Sequence, residues 1–317
     1  MPIFIYWLWC GLKARAIFYL SAANPGFEYG GVIGASKKSI LDKFPPQYIP
    51  KGILINPSEG VRIADEIMQN AGLSYPVVVK PDIGERGFKV ELVTNETELA
   101  QYLANSNDQL IVQEYIDLPM EAGIFYYRLP NEPKGTVSSV VLKGLLTVTG
   151  DGTSSIKELM MKNERARFQI SRLSTAGRVD LSAIPQKDEN ILLEPIGNHV
   201  RGTAFLDGCY LINEQLNEVI DNLSKGIDGF YYGRYDLRCK DEQALYNGEF
   251  KIMELNGSAS EPAHIYSPGF PLLKGYKVFF HHWRILYKIS KINHAQGVPY
   301  MSFATGLKAL RKSRFTR

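Results

Sequence analysis

Lys80 closes the apolar run PVVVK, and glycines follow it at 84 and 87 in GERGFKV. A lysine at the end of a buried strand aims its ammonium from a rigid platform. Glycines let backbone N–H groups approach anion oxygens with no Cβ in the way. Arg86 and Lys89 add charge to the same loop. Far downstream, Arg234 and Asp236 stand at i and i+2 in GRYDLR, and Glu254 and Asn256 repeat that spacing in IMELNGS. Alternate residues of a strand share a face, so each pair presents its two polar groups together. Asp, Glu and Asn oxygens converging from neighbouring strands suit a hard cation, Mg²⁺ held jointly with phosphate oxygens. An arginine beside them can stabilise negative charge that develops during group transfer. Lys143, in VVLKGLLTV, is a second candidate cation for the phosphates or an acyl group. Each feature alone has a plainer reading: an exposed strand-end lysine, a hairpin turn, a charged surface hairpin. Their joint occurrence is what points to polyphosphate chemistry.

Those side chains need strands beneath them, and the patterning supplies them. Short apolar, β-branched runs predict strands at 53–55, 75–79, 90–93, 110–113, 122–127, 138–148, 229–237 and 250–255. Helical periodicity predicts helices at 36–43, 58–71, 97–104, 153–162 and 213–224, with Asn95 or Thr97 as a cap. Residues 163–200 read as irregular, Asp151-Gly152 as a structural turn, and His199 as a loop histidine. Strands and helices in alternation give an α/β (α+β) protein.

At 317 residues and 45% apolar composition, the chain can bury one large core or two to three smaller lobes. Cys10, Cys209 and Cys239 have no metal or redox spacing, which favours a reduced, cytoplasmic setting. The net charge of +3 conceals an asymmetry. No acidic residue follows Glu261, whereas ten basic residues do, so the remainder of the chain is acidic. Within that end, Lys277, His281, Arg284, Lys288 and Lys291 recur at helical spacing as one stripe, which could pack on the body as a basic edge or face a polyanion such as phospholipid. The opening IFIYWLWCGL is too short to span a membrane, which needs roughly 20 residues. Its positive residues follow the apolar run, the reverse of a signal peptide. It reads as a buried first element or as an interfacial contact through Trp7, Trp9, Phe18 and Tyr19.

Taken in order, these segments resemble the ATP-grasp superfamily, in particular D-alanine–D-alanine ligase, with a GDG segment like that of the cyanophycin synthetase branch. The resemblance covers roughly residues 55–265. It implies two α/β lobes gripping ATP: an N-lobe over 56–120 and a C-lobe with the Mg²⁺ site over 121–275. A reduced N-terminal region (1–55) and a basic helical tail (276–317) flank them. It further implies that Gly84, Arg86 and Gly87 lie in a flexible lid over the phosphates held by Lys80. The hinge of Gln113, Glu114, Tyr115 and Ile116 would meet adenine, and Glu121 the ribose hydroxyls. Asp236, Glu254 and Asn256 would hold Mg²⁺. Arg234, with Lys143 and Arg201 (in NHVRGTAF, like a segment near the acceptor in the cyanophycin branch), would serve the reaction.

The expected activity is ATP-dependent carboxylate–amine (or thiol) ligation through an acylphosphate, on small-molecule carboxylate and amine substrates. No nucleic-acid partner is expected. The sequence departs from the ligases in two places. Residues 1–55 lack the alternating strands and helices of the domain that helps bind the carboxylate there, and NGSASEP replaces the turn that contributes to D-alanine binding. D-alanine specificity therefore does not carry over. The alternative is an ATP-binding scaffold or partner-dependent subunit that docks on membrane or protein.

Overall fold

The computed structural model of the chain describes residues 2–84 and 87–315. It divides into a larger unit, residues 1–142 with 207–317, and a smaller one, residues 143–206. Residues 56–120 and 121–142 thus share one unit with 207–317.

In the larger unit, α1 (Pro2–Ala14) and the short α2 (Lys37–Leu41) precede a first sheet. That sheet is built from β1 (Gly52–Ile55), α3 (Gly60–Asn70), β2 (Val77–Pro81), β3 (Glu91–Val93), α4 (Glu96–Ala104) and β4 (Leu110–Glu114). Its strand order is β1-β4-β2-β3, every pair antiparallel. Asn95 caps α4 by accepting the Glu98 N–H at 3.0 Å, satisfying one of the helix's open donors. One face of the sheet packs Val77, Val79, Leu110 and Val112 against Ala64 and Met68 of α3 and Leu99 and Leu103 of α4. The other face carries Val78, Lys80, Ile111 and Gln113, and these are buried too. Strand β2 is covered on both sides, which explains why its sequence is an unbroken apolar run.

The chain continues through β5 (Met120–Tyr127) and β6 (Thr136–Gly144) into the smaller unit. There β7 (Leu146–Thr149) pairs antiparallel with β8 (Asn190–Glu194), with α5 (Ile156–Lys162) and α6 (Ile170–Ala176) between them in sequence. Ser155 and Glu158 form a capping box at the start of α5. The strand expected over 138–148 is therefore two strands broken at Leu145, and the stretch 163–200 is not irregular but holds α6 and β8. Leu146, Val148, Met160, Leu173 and Leu193 form this unit's own core.

After β9 (Ala204–Asp207), α7 (Glu214–Lys225), β10 (Tyr232–Cys239), α8 (Glu242–Tyr246) and β11 (Phe250–Asn256) complete the larger unit's second sheet. Its strands there run β11-β10-β5-β6. Ala122, Ile124, Tyr126, Tyr235 and Leu237 face α7 and a large apolar core. By alternation, Gly123, Phe125, Arg234 and Asp236 face the opposite way. Finally α9 (Leu272–Ala295) and α10 (Phe303–Phe315) close the chain. Helix α9 packs with α1 and with the turn at Tyr19–Ala22. Tyr19 is buried in that packing and Phe18 against α10, 0% and 9% exposed, which removes both from the interfacial contact expected of them.

Candidate active site

The two sheets of the larger unit meet at Lys80. Its ammonium donates to Gln113 Oε1 at 2.9 Å and reaches across to the Met253 carbonyl of β11 at 3.2 Å. That carbonyl is available because of a bulge. Register between β10 and β11 pairs Asp236 with Glu254 but Leu237 with Ile252, leaving Met253 as the extra residue outside the ladder. Lys80 is 6% exposed, and burial pulls its pKa down to about 8, with the charge of Glu254 the largest opposing influence. Among the described residues its direct partners are neutral oxygens, and its charge is met by carboxylates at longer range.

Beyond Lys80 lies the bulged edge. Arg234 pairs with Asn256 and Asp236 with Glu254 in register, so all four side chains stand on one face of the sheet. Arg234 grips Asp236 with two parallel bonds, Nε to Oδ1 at 2.8 Å and Nη2 to Oδ2 at 3.2 Å. Its remaining Nη1 reaches the Glu261 carbonyl at 3.4 Å. Asn256 Nδ2 lies 3.5 Å from Asp236 Oδ2. No hydrogen-bond donor sits on the Glu254 carboxylate among the described residues. Neither is there among them a cluster of three or more His, Cys, Asp or Glu side chains able to hold a metal. Two carboxylates and one amide oxygen do fit Mg²⁺ as a partial set, the kind completed by phosphate oxygens and water.

The residues expected to form the hinge also come together in this unit. Gln113 is buried against Lys80, and Glu114 is tied to the strand before it: its N–H donates to the Lys51 carbonyl at 2.9 Å, and its carboxylate accepts the Lys51 N–H at 3.1 Å. Glu121 Oε2 accepts from Arg238 Nε at 3.0 Å and Nη2 at 2.9 Å, a buried pair. Arg238 Nη1 donates to the Ile116 carbonyl at 2.8 Å, and the guanidinium lies 5.7 Å from the centre of the Tyr115 ring. One arginine thus fixes Tyr115, Ile116 and Glu121 at once. Arg238 is the last residue of GRYDLR, and its role is not among those expected from the sequence. It is two residues beyond Asp236 on the same strand, and that parity was the available signal.

Two further residues were missed. Lys37, at the start of α2, donates to the carbonyls of Pro81 and Asp82 at 3.2 Å and of Gly84 at 2.8 Å, holding the entrance to the glycine loop. Asp82 returns the contact by accepting from Ser36 Oγ and the Lys38 N–H. Gly123 of β5 sits opposite Asp236, where an added Cβ would lie 2.8 Å from Val141 Cγ1, 3.2 Å from Asp236 Oδ1 and 3.3 Å from Arg234 Cδ. Gly87 has φ +67° in the loop, a conformation that favours glycine. Arg86 lies outside the described residues. Lys143 and Arg201 belong to the smaller unit. There Arg201 Nη1 stands 3.6 Å from Glu194 Oε2, which also takes Arg172 at 2.6 Å.

The site of this α/β protein is a buried lysine between two antiparallel sheets, beside carboxylates on a bulged strand. Residues 49–194 match the RimK-like ATP-grasp domain. The chain is also similar to the formate-dependent phosphoribosylglycinamide formyltransferase of Sulfurisphaera tokodaii, at 29% identity over 97 residues, 28% of this chain and 23% of that protein. Among solved structures it resembles a bifunctional glutathione synthetase from Pasteurella multocida, with TM-score 0.39, 19% identity, and coverage of 77% of this chain and 36% of that one. It also resembles D-alanine–D-alanine ligase from Bacillus anthracis, with TM-score 0.43, 15% identity, and coverage of 83% and 69%. The chain therefore spans less than a quarter of the curated relative it matches.

Proposed function

We propose that the chain is an ATP-dependent ligase that activates a small carboxylic acid as an acylphosphate and transfers the acyl group to an amine or thiol. The observation that carries this reading is Lys80, a buried ammonium stationed between the hinge strand and the residue next to Glu254. A buried cation without a direct anionic partner is costly unless a ligand supplies the counter-charge. In this reading Lys80 binds the phosphates of ATP and Arg238 holds the hinge that receives the base and ribose. Asp236, Glu254 and Asn256 would hold Mg²⁺, which would neutralise phosphate charge when bound. Arg234 would trade part of its hold on Asp236 for the charge that develops on the transferring phosphoryl group.

A place for the carboxylate substrate is supported by the continuation of the same face. Tyr232 stands two residues from Arg234 on β10 and lines a cavity of about 220 Å³ with Val32, Ser258, Phe279, His282 and Trp283. Its wall also includes Glu261, whose carbonyl accepts from Arg234, and a mostly apolar cavity so connected to the arginine suits a small substrate with an apolar body.

Glu254→Gln keeps size and hydrogen-bonding capacity but removes a charged metal ligand. It is expected to lower substrate-stimulated ADP release at least ~100-fold, as befits removal of charge stabilisation in a transition state, with little change in melting temperature. Unchanged turnover would sink the metal assignment. Formation of a hydroxamate when hydroxylamine is the only nucleophile would support the acylphosphate, whereas ATP binding without ADP release across a broad panel of acids would favour the scaffold reading.

A further inference from the structure

Helix α1 is apolar all the way round, yet only one side of it is covered. Tyr6 meets Phe280 of α9 edge-on at 5.3 Å, and Cys10 is buried among Ile285, Leu286 and Ile289. On the other side Phe4, Ile5, Trp9 and Leu12 are 57%, 66%, 51% and 76% exposed. The spacing of Ile5, Trp9 and Leu12 puts those three along one outward ridge of the helix, with Phe4 at its flank. Four large apolar side chains left together in water are not a by-product of folding a core; they mark a surface that is covered in use.

What borders the ridge identifies the cover. Helix α9, against which α1 lies, carries Lys277, His281, Arg284, Lys288 and Lys291, and all five are exposed. Around the helix this stripe falls directly beside Phe280, the residue that touches α1, so the charge borders α1. Lys13 lies over the Trp9 ring at 4.5 Å, and Arg15 follows it. No acidic residue occurs before Glu28 or after Glu261, so neither segment brings an anion to this side. Among the described residues no helix is long and apolar enough to cross a membrane.

We propose that the two ends of the chain form one docking surface for an anionic lipid bilayer. The outward ridge of α1 enters the headgroup–acyl boundary, and the α9 stripe lies over the negative surface. An apolar helix face flanked by lysine and arginine is the chemistry of interfacial attachment, and polybasic residues add attraction that salt weakens. The ridge supplies the insertable side chains, and the α9 stripe supplies most of the charge.

The test is co-sedimentation of the full chain with phosphatidylcholine vesicles, with and without phosphatidylglycerol. Binding is expected to the anionic vesicles, at least tenfold weaker to the neutral ones, and to fall as salt rises. Ile5→Ser/Trp9→Ser/Leu12→Ser and, separately, Lys288→Glu/Lys291→Glu should each lower binding to anionic vesicles at least tenfold. Both variants should retain the parent's circular dichroism and nucleotide affinity, so that a failure of this surface is distinguishable from a failure of the ligase reading. Equal binding to neutral and anionic vesicles, or no binding to either, overturns the proposal. So does a concentration-dependent mass increase in solution that the triple serine variant abolishes, because the ridge would then be covered by a second copy of the chain.

Discussion

Lys80 shows how far a single residue can be read from sequence. Its place at the end of VVVK was enough to mark it as a candidate for phosphate. Its depressed pKa was not legible, because that depends on burial against a second sheet whose contacting strand lies 173 residues away. The shift sets two opposed pH trends. In the unfolded chain Lys80 keeps its proton up to about 10.5, whereas in the fold it loses it near 8. Between these values the unfolded state binds more protons, so the contribution of Lys80 makes the nucleotide-free protein more stable as pH rises. Affinity for ATP moves the other way, weakening above pH 8 as the ammonium is lost. Lys80→Met should remove both trends, lowering ATP affinity by about 100-fold at neutral pH, since charge-assisted bonds to phosphate are among the strongest available. The difference between parent and variant, by thermal melts and nucleotide titrations across pH 7–10, checks both. Parallel pH profiles would show that Lys80 does not bind the phosphates.

At the scale of the element, the informative object is the bulge in β11. The i, i+2 spacing of Glu254 and Asn256 put both on one face without structural knowledge. The extra residue at Met253, which lets Ile252 and Leu255 both reach the core, has no sequence signature. Lys80 depends on it, since the carbonyl it uses is the one outside the ladder. Gly123 is a similar case. In the sequence it is one glycine in a β-branched stretch, and its role follows only once register sets it against Asp236. Conversely, β2, β4, α3, α4 and α7 were legible because caps and apolar periodicity are local. The break at Leu145 was not, because both flanking segments have the same strand-like composition. Gly123→Ala would press a methyl on Val141 and on the Arg234–Asp236 pair. Activity should fall ten- to a hundredfold, while the melting temperature drops by only a few degrees, as for overpacking of about 1–3 kcal/mol. Equal losses in Gly123→Ala and a destabilised control elsewhere in β5 would remove the positioning role.

For the larger unit as a whole, the two ends of the chain interlock over the face that carries the site. Asn24 is fully buried. It donates to the carbonyls of Tyr232 and Gly30 and to Ser258 Oγ, and its own oxygen accepts from the N–H groups of Tyr231 and Tyr232. Asn293 of α9 donates to the carbonyls of Ala22 and Ala23. Between these fastenings His282 is buried edge-on to Phe125 at 4.6 Å, close to Tyr127, Tyr232 and His281. Burial lowers its pKa to about 3, with the neighbouring charges of His281 and His264 acting in the same direction. The unfolded chain takes up this proton near pH 6.5, the fold only near 3. Stability contributed by neutral His282 is therefore complete above pH 6.5 and is lost as pH falls toward 3. Acid should then loosen α9 first, exposing Trp283 in the cavity wall before the sheets themselves melt. His282→Phe, aromatic and uncharged at any pH, is expected to flatten the stability profile across that window while leaving stability at pH 8 within about 1–3 kcal/mol of the parent. Denaturant titrations of both proteins at pH 4 and pH 8 decide it: an equal acid-induced loss in each would assign the acid sensitivity to other groups and leave α9 a passive cover.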